Sequence, residues 1–302
     1  MSPAANYRPV EGILWTFGAG LLFVGVNVLV KFLGPVVPAT EMAFLRYALG
    51  LVLLVPAIRQ IMRLRLTGRQ WGLFALRGAL HAVGVALWFY AMATIPLADV
   101  TAMNYLSPIY VTIGAALFMG EKLAARRIIA VVVGLVGALV ILRPGFREIS
   151  EGHVAMMIAA LVFAGSYLLA KHLTDATDPI AVITMLSVWV TVGLIPLAAP
   201  VWVTPTWFQI VMLFVTAAFA TLGHYLMTLG FRAAPITVTQ PVTFLQLVWA
   251  VALGVLLFDE PVDPFVILGG LMIIGAISFI TWREAVAKKT QVTPPVPPQK
   301  MN

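Results

Sequence analysis

The sequence predicts an all-α membrane protein whose ten transmembrane helices form two inverted five-helix repeats. Three observations carry that prediction. The chain of 302 residues is 61% hydrophobic and only 10% charged, with a mean hydropathy of +1.00. Its apolar runs come in lengths of about 20 residues, the number a helix needs to cross a hydrocarbon core about 30 Å thick. Residues 21–33, LLFVGVNVLVKFL, are written again in altered form at 161–173, LVFAGSYLLAKHL.

A water-soluble domain is about a quarter charged, so this chain cannot clothe a water-facing surface and takes the bilayer as its solvent. The runs fall near 12–33, 39–58, 71–93, 97–119, 126–142, 152–173, 179–199, 206–231, 237–258 and 264–282. Helices are required, because the short alternating segments of a barrel are absent. Pro, Gly and charge mark the joints: Gly34-Pro35, Pro38, Arg143-Pro144-Gly145, Pro200, Pro235, Pro261 and Pro264. The first run is too long for a signal-peptide h-region and reads as the first span. With no cysteine, disulfide and metal-thiolate chemistry are excluded. The domain plan is a cytoplasmic N-terminus at 1–11, repeats at 12–145 and 146–284, and a disordered Pro-rich cytoplasmic tail at 285–302.

Loop charge sets orientation. Of the nineteen Lys and Arg, fourteen fall on the side shared by both termini, three on the other, and Arg46 and Arg77 inside spans. Both termini are therefore expected in the cytoplasm. The net charge of +7 is mostly topology charge and needs no nucleic-acid partner.

At an offset of 140, residues 11–33 and 151–173 agree at nine of 23 positions, Glu11/Glu151, Gly12/Gly152, Gly25/Gly165 and Lys31/Lys171 among them. ATIPLADVT (93–101) aligns with AAPITVTQ (233–240), and MGEKL (119–123) with FDEPV (258–262), so Glu121 pairs with Glu260. Each copy holds five spans. Five is odd, so the second copy enters the membrane from the opposite face. Inverted repeats place a solute site near the midplane between two halves that rock against each other. The two lysines, each at a span end, are expected to snorkel to the headgroups.

AFLRYALG (43–50), NYLSPIYVTIGAALFMGEKL (104–123) and its counterpart VTFLQLVWAVALGVLLFDEPV (242–262) resemble the arginine-bearing second span and the proline-then-glutamate fourth span of the EamA family of the drug/metabolite transporter superfamily. The likeness runs over residues 11–284. Within the family the chain is most similar to the YddG-type aromatic amino-acid exporters of bacterial inner membranes. Gln246-Leu247 stands where the family often has Glu-Pro. What the resemblance implies is export of amino acids, aromatic ones in particular, across a bacterial inner membrane, by a monomer with lipid and small-molecule partners. It implies no cofactor, no metal and no enzymatic step.

Polar groups inside spans are costly unless satisfied, which singles out candidates to line the cavity. Asn27 and Tyr167 are repeat mates that either face the axis or hydrogen-bond helix to helix. Asn104 and Thr243 are mates too, and Pro108 deprives the Asn104 carbonyl of its helical donor, leaving either an acceptor for substrate or a plain kink. His81, His224, Ser107 and Gln246 join them, with Trp88, Phe163 and Phe244 suited to an aromatic cargo among mid-span aromatics that include Tyr90, Tyr105 and Trp189. Arg46 is either functional or structural and gating, paired with Glu41 or with a carbonyl at a helix C-terminus; Pro108, Glu121 and Glu260 are read as structural or gating. Ala130, Gly134 and Ala138, and on the tenth span Gly269, Gly270 and Gly275, form small-residue ridges.

No Walker motif, HExxH, GxSxG or mid-span aspartate pair is present, so neither ATP-driven transport nor an intramembrane enzyme fits the sequence. No carboxylate is clearly buried mid-span, which favours facilitated export over proton antiport. A carrier of sugar phosphate, nucleotide sugar or drug is the rival within the same fold; a phosphate cargo needs two or more cationic groups in the cavity.

The natural absence of cysteine makes topology testable. Single substitutions Val36→Cys and Ala176→Cys are expected to label from opposite faces: the first with impermeant maleimide on intact cells, the second only after permeabilisation. Labelling of both from one face would remove the inversion.

Overall fold

The computed structural model describes residues 8–55, 66–119, 125–174, 179–234 and 236–292. Twelve α-helices occupy them: α1 Pro9–Leu33, α2 Ala39–Leu53, α3 Gly68–Thr94, α4 Leu97–Asn104, α5 Leu106–Met119, α6 Ala125–Leu142, α7 Glu151–Thr174, α8 Pro179–Ala198, α9 Trp207–Ala233, α10 Ile236–Thr243, α11 Leu245–Phe258 and α12 Pro264–Val292. Nine spans among the described residues are long and apolar enough to cross a membrane. The second expected span is α2, of 15 residues.

Two expected spans are broken in mid-course. The fourth is split at Tyr105 into α4 and α5, and its mate, the ninth, at Phe244 into α10 and α11. Each break has a proline close by. Pro108 sits in the first turn of α5, where a missing N–H is tolerated, and Pro241 lies inside α10. Other prolines act as starts: Pro9 opens α1, and Pro38 and Pro96 cap α2 and α4.

The third and eighth spans begin alike. Thr67 accepts from the Gln70 backbone N–H while Gln70 reaches back to the Thr67 N–H, and Thr206 and Gln209 repeat the arrangement at the head of α9. Each box satisfies two of the donors that a helix start leaves unpaired.

Packing follows a pseudo-twofold exchange. α1 lies along α9, and its mate α7 lies along α3; α2 packs on α9 as α8 packs on α3. α1 meets α10 and α11, while α7 meets α4 and α5; α2 faces α8 and α6 faces α12 across the axis. Each helix thus makes its largest contacts with the other half. A bundle of two separate five-helix domains would have packed the other way round.

α6 and α12 approach through backbone: a Cβ placed on Gly137 would lie 2.8 Å from the Gly269 carbonyl oxygen. Gly269 and Gly134 serve the expected ridge, but Gly275 has nothing within 4 Å and takes no part in it. The C-terminal expectation also needs correction. Residues 285–292 continue α12 as helix, and only 293–302 of the expected tail lie outside the described residues.

Overpacking of this kind costs roughly 1–3 kcal/mol. Gly137→Leu is therefore expected to lower the thermal midpoint of the detergent-purified protein, whereas Gly275→Leu leaves it unchanged. Equal midpoints for the two variants would contradict the close approach.

Candidate substrate cavity

One end of the molecule is stitched shut. Asp259 ends α11 in the left-handed region (φ 53°), which an aspartate tolerates, and this turn swings Glu260 back over α11. The Glu260 carboxylate lies 2.5 Å from Lys31 Nζ and accepts the Leu97 N–H at 2.9 Å, while Lys31 also donates to the Ile95 carbonyl at 2.8 Å. Any Cβ at Gly254 would collide with that carboxylate. Lys31 is thus an inter-half ion-pair partner rather than a snorkelling residue. Nearby, Asp99 is held by Arg147 at 2.5 Å and by His153 Nε2 at 2.9 Å, with Ser150 on His153 Nδ1 at 2.8 Å. Arg143 pairs with Asp263. Glu41, fully buried, accepts the Val203 N–H at 2.9 Å; the expected Glu41–Arg46 pair is absent because Glu41 points to the loop that precedes α9. Glu121 lies outside the described residues.

Farther into the membrane a polar cleft opens between the halves. Tyr167 has 46% of its surface open, and His224 is exposed as well. His81 is the centre of the wall: its Nδ1 is 3.2 Å from the Ser166 hydroxyl, and its ring lies 4.9 Å from Phe163, 6.5 Å from Tyr47 and 6.4 Å from Tyr167. Phe163 and Tyr167, one helical turn apart on α7, stack at 6.3 Å, and Trp88 stands edge-on to Phe163 at 6.3 Å. Across the cleft His224 packs on Phe23 at 5.0 Å. Arg46 lies 4.0 Å over the Tyr47 ring, and Arg77 donates to the Val182 carbonyl at 2.8 Å. Toward the end opposite Lys31, Tyr167 joins Pro108, Thr112 and Ile277 around a cavity of about 290 Å³.

Of the residues expected to line a cavity, His81, Trp88, Phe163, Tyr167 and His224 meet here, with Arg46 beside them. Asn27 is buried, and its Oδ1 has no partner among the described residues. Asn104, Ser107, Thr243, Phe244 and Gln246 form a second group at the two helix breaks. There the Tyr105 hydroxyl donates to the Thr243 carbonyl at 3.2 Å, and the Tyr105 and Phe244 rings meet edge-to-face at 5.4 Å. Gln246 packs beside Gly20 of α1. Tyr90 leaves the expected aromatic set, since its hydroxyl is bound to Glu151 at the stitched end. Trp189 packs on Trp71. Sequence reasoning missed Tyr47, and it gave Arg77 no place in the wall; a second basic residue in mid-span was the available signal.

Two interlocked five-span units that enclose a polar cleft in mid-membrane, sealed at one end, define a membrane transporter of the inverted-repeat class. The chain belongs to the EamA-like transporter family, whose profile matches twice, at residues 10–143 and 150–282. A riboflavin transporter of Vibrio cholerae is 28% identical over 284 residues, covering 92% of this chain and 95% of that one. An S-adenosylmethionine uptake transporter of Rickettsia bellii is 28% identical over 281 residues (92% and 96%). A pseudopaline exporter of Pseudomonas aeruginosa is 28% identical over 268 residues (88% and 94%). A protein of known crystal structure superposes with a TM-score of 0.59 over 92% of this chain and 99% of its own, at 14% identity, and shares the fold. None of the relatives just named is an aromatic amino-acid exporter.

Removing one partner of a pair as buried as Lys31 and Glu260, which are 15% and 9% exposed, costs on the order of 3–5 kcal/mol. Lys31→Ala and Glu260→Ala are each expected to destabilise the purified protein, and the double variant to be little worse than either. A coupling below about 0.5 kcal/mol in that cycle would show that the pair does not hold the end closed.

Proposed function

We propose that this chain is a secondary transporter in which a small, ring-bearing metabolite crosses the membrane through the cleft between its repeats, by alternating access. The observation that carries this reading is the aromatic cluster of Trp88, Phe163, Tyr47 and His81 packed behind Tyr167, whose own surface is 46% open, beneath an end closed by inter-half ion pairs. A flat ring sandwiched by such side chains gains about 0.5–1.5 kcal/mol per ring contact beyond area burial. The names of the relatives support a heteroaromatic cargo, since riboflavin and S-adenosylmethionine both contain one, and they withdraw support from aromatic amino acids as the dedicated substrate. The direction of flux follows the cargo gradient: relatives named for uptake and for export share one architecture. The loop-charge bias supports cytoplasmic termini, and on that orientation the closed Lys31 end is outside and the Tyr167 cavity toward the cytoplasm.

Thermal stabilisation of the purified protein across riboflavin, S-adenosylmethionine, tryptophan and a ring-free control such as leucine is the direct test. Ring compounds are expected to raise the midpoint and leucine to leave it unchanged. Phe163→Ala is expected to weaken the best ligand about tenfold, the equivalent of about 1.4 kcal/mol. Stabilisation by leucine alone, or ring binding indifferent to Phe163→Ala, would overturn the reading.

A further inference from the structure

Among the described residues, Arg46 and Arg77 carry positive charge at the central cleft with no acid paired to either. Arg46 is 9% exposed and Arg77 6%. Arg77 uses one nitrogen on the Val182 carbonyl, and its Nε has no partner among the described residues. Arg46 touches the face of Tyr47, and none of the ion pairs of the described residues includes it. Both guanidinium groups lie within electrostatic reach of His81, and His224 does also. The described acids at the span ends are engaged elsewhere. Glu41 takes the Val203 N–H, Asp99 holds Arg147 and His153, Glu260 holds Lys31, and Asp263 holds Arg143, all at the stitched end. A guanidinium cannot shed its proton, and an unpaired charge at membrane depth is costly.

The charge is also one-sided. At offsets of 140 for the second span and 139 for the third, the latter set by the Thr67 and Thr206 capping boxes, Arg46 corresponds to Leu186 and Arg77 to Thr216, so packing symmetry does not require the charge. Fold maintenance in the second half manages without it. A role for the pair is therefore to be sought in what enters the cleft.

We propose that Arg46 and Arg77, beside His81 and the Phe163–Tyr167 stack, form an anion subsite that receives the carboxylate or phosphate of a ring-bearing cargo. The proposal rests on the reading that the cleft carries such a cargo, and it narrows that cargo to an organic anion. The ring lies against Phe163 and Tyr167 and the acidic group reaches the guanidinium forks, whose planar donors match an oxyanion. The Tyr47 face holds the Arg46 guanidinium in place without neutralising it.

The test compares binding to the full-length protein in nanodiscs of two matched pairs: flavin mononucleotide against riboflavin, and indole-3-propionate against indole-3-propionamide. Each pair shares its ring and differs in the anionic group, so the first arm reports phosphate and the second carboxylate. A charge-assisted bond contributes about 1.5–3 kcal/mol, so the anion of at least one pair is expected to bind about tenfold or more tightly. Arg46→Gln and Arg77→Gln are each expected to cut that ratio, and Arg46→Lys to retain part of it. Because the ratio is first read on the unaltered protein, a variant that fails to fold does not remove the test. Riboflavin or the propionamide binding as well as its anionic partner would overturn the anion subsite and leave the ring-cargo reading standing. Failure of all four compounds to bind would bring down both. A preference that survives both Gln variants undiminished would place the anion elsewhere and overturn the assignment.

Discussion

A bilayer core offers a peptide group no water, so any break in a spanning helix must find its partners inside the protein. This chain breaks two helices, at Tyr105 and at Phe244, and answers each break with the other. The Tyr105 hydroxyl reaches the carbonyl of Thr243 at the end of α10, and the two aromatic rings close edge-to-face. The arrangement is possible only if the two broken spans face each other across the axis, which in turn fixes how every other helix pairs. α1 falls against α9 and α7 against α3, and the cleft is the space this interlocking leaves between them.

The molecule is symmetric in packing and asymmetric in charge. Geometry is repeated down to the capping boxes at Thr67 and Thr206. Arg46, Arg77 and His81 have no charged mates at the repeat offset, and neither do Asp99 and His153. Backbone and small side chains therefore carry the exchange symmetry, while the polar lining has diverged within it. Divergence of that kind leaves the packing intact and changes the lining of the cleft, consistent with one architecture serving relatives named for unlike cargoes.

Much of this was legible in the sequence, because the bilayer enforces a simple code. Span number, repeat offset and the mid-course prolines all follow from hydrocarbon thickness and from what Pro cannot donate. His81, Phe163, Tyr167, Trp88 and His224 were found because polar and aromatic groups at mid-span have few places to face. The partners of ions were not legible. Glu41 lies five residues before Arg46, within a plausible reach, yet it binds a loop backbone 162 positions away. Lys31 reads as a headgroup anchor until α11 turns left-handed at Asp259 and brings Glu260 over it. Such pairings depend on where loops fold back, and loops follow no period.

The contact between Gly137 and Gly269 joins the fifth span of one half to the fifth span of the other with no side chain between them. Two bare backbones can swivel on each other without any rotamer having to change, and Gly12 and Gly230 bring the backbones of α1 and α9 together in the same way. On the alternating-access reading proposed above, such seams are where the halves pivot, and Arg143 and Asp263, six residues along from Gly137 and Gly269, pin that pivot from its closed end.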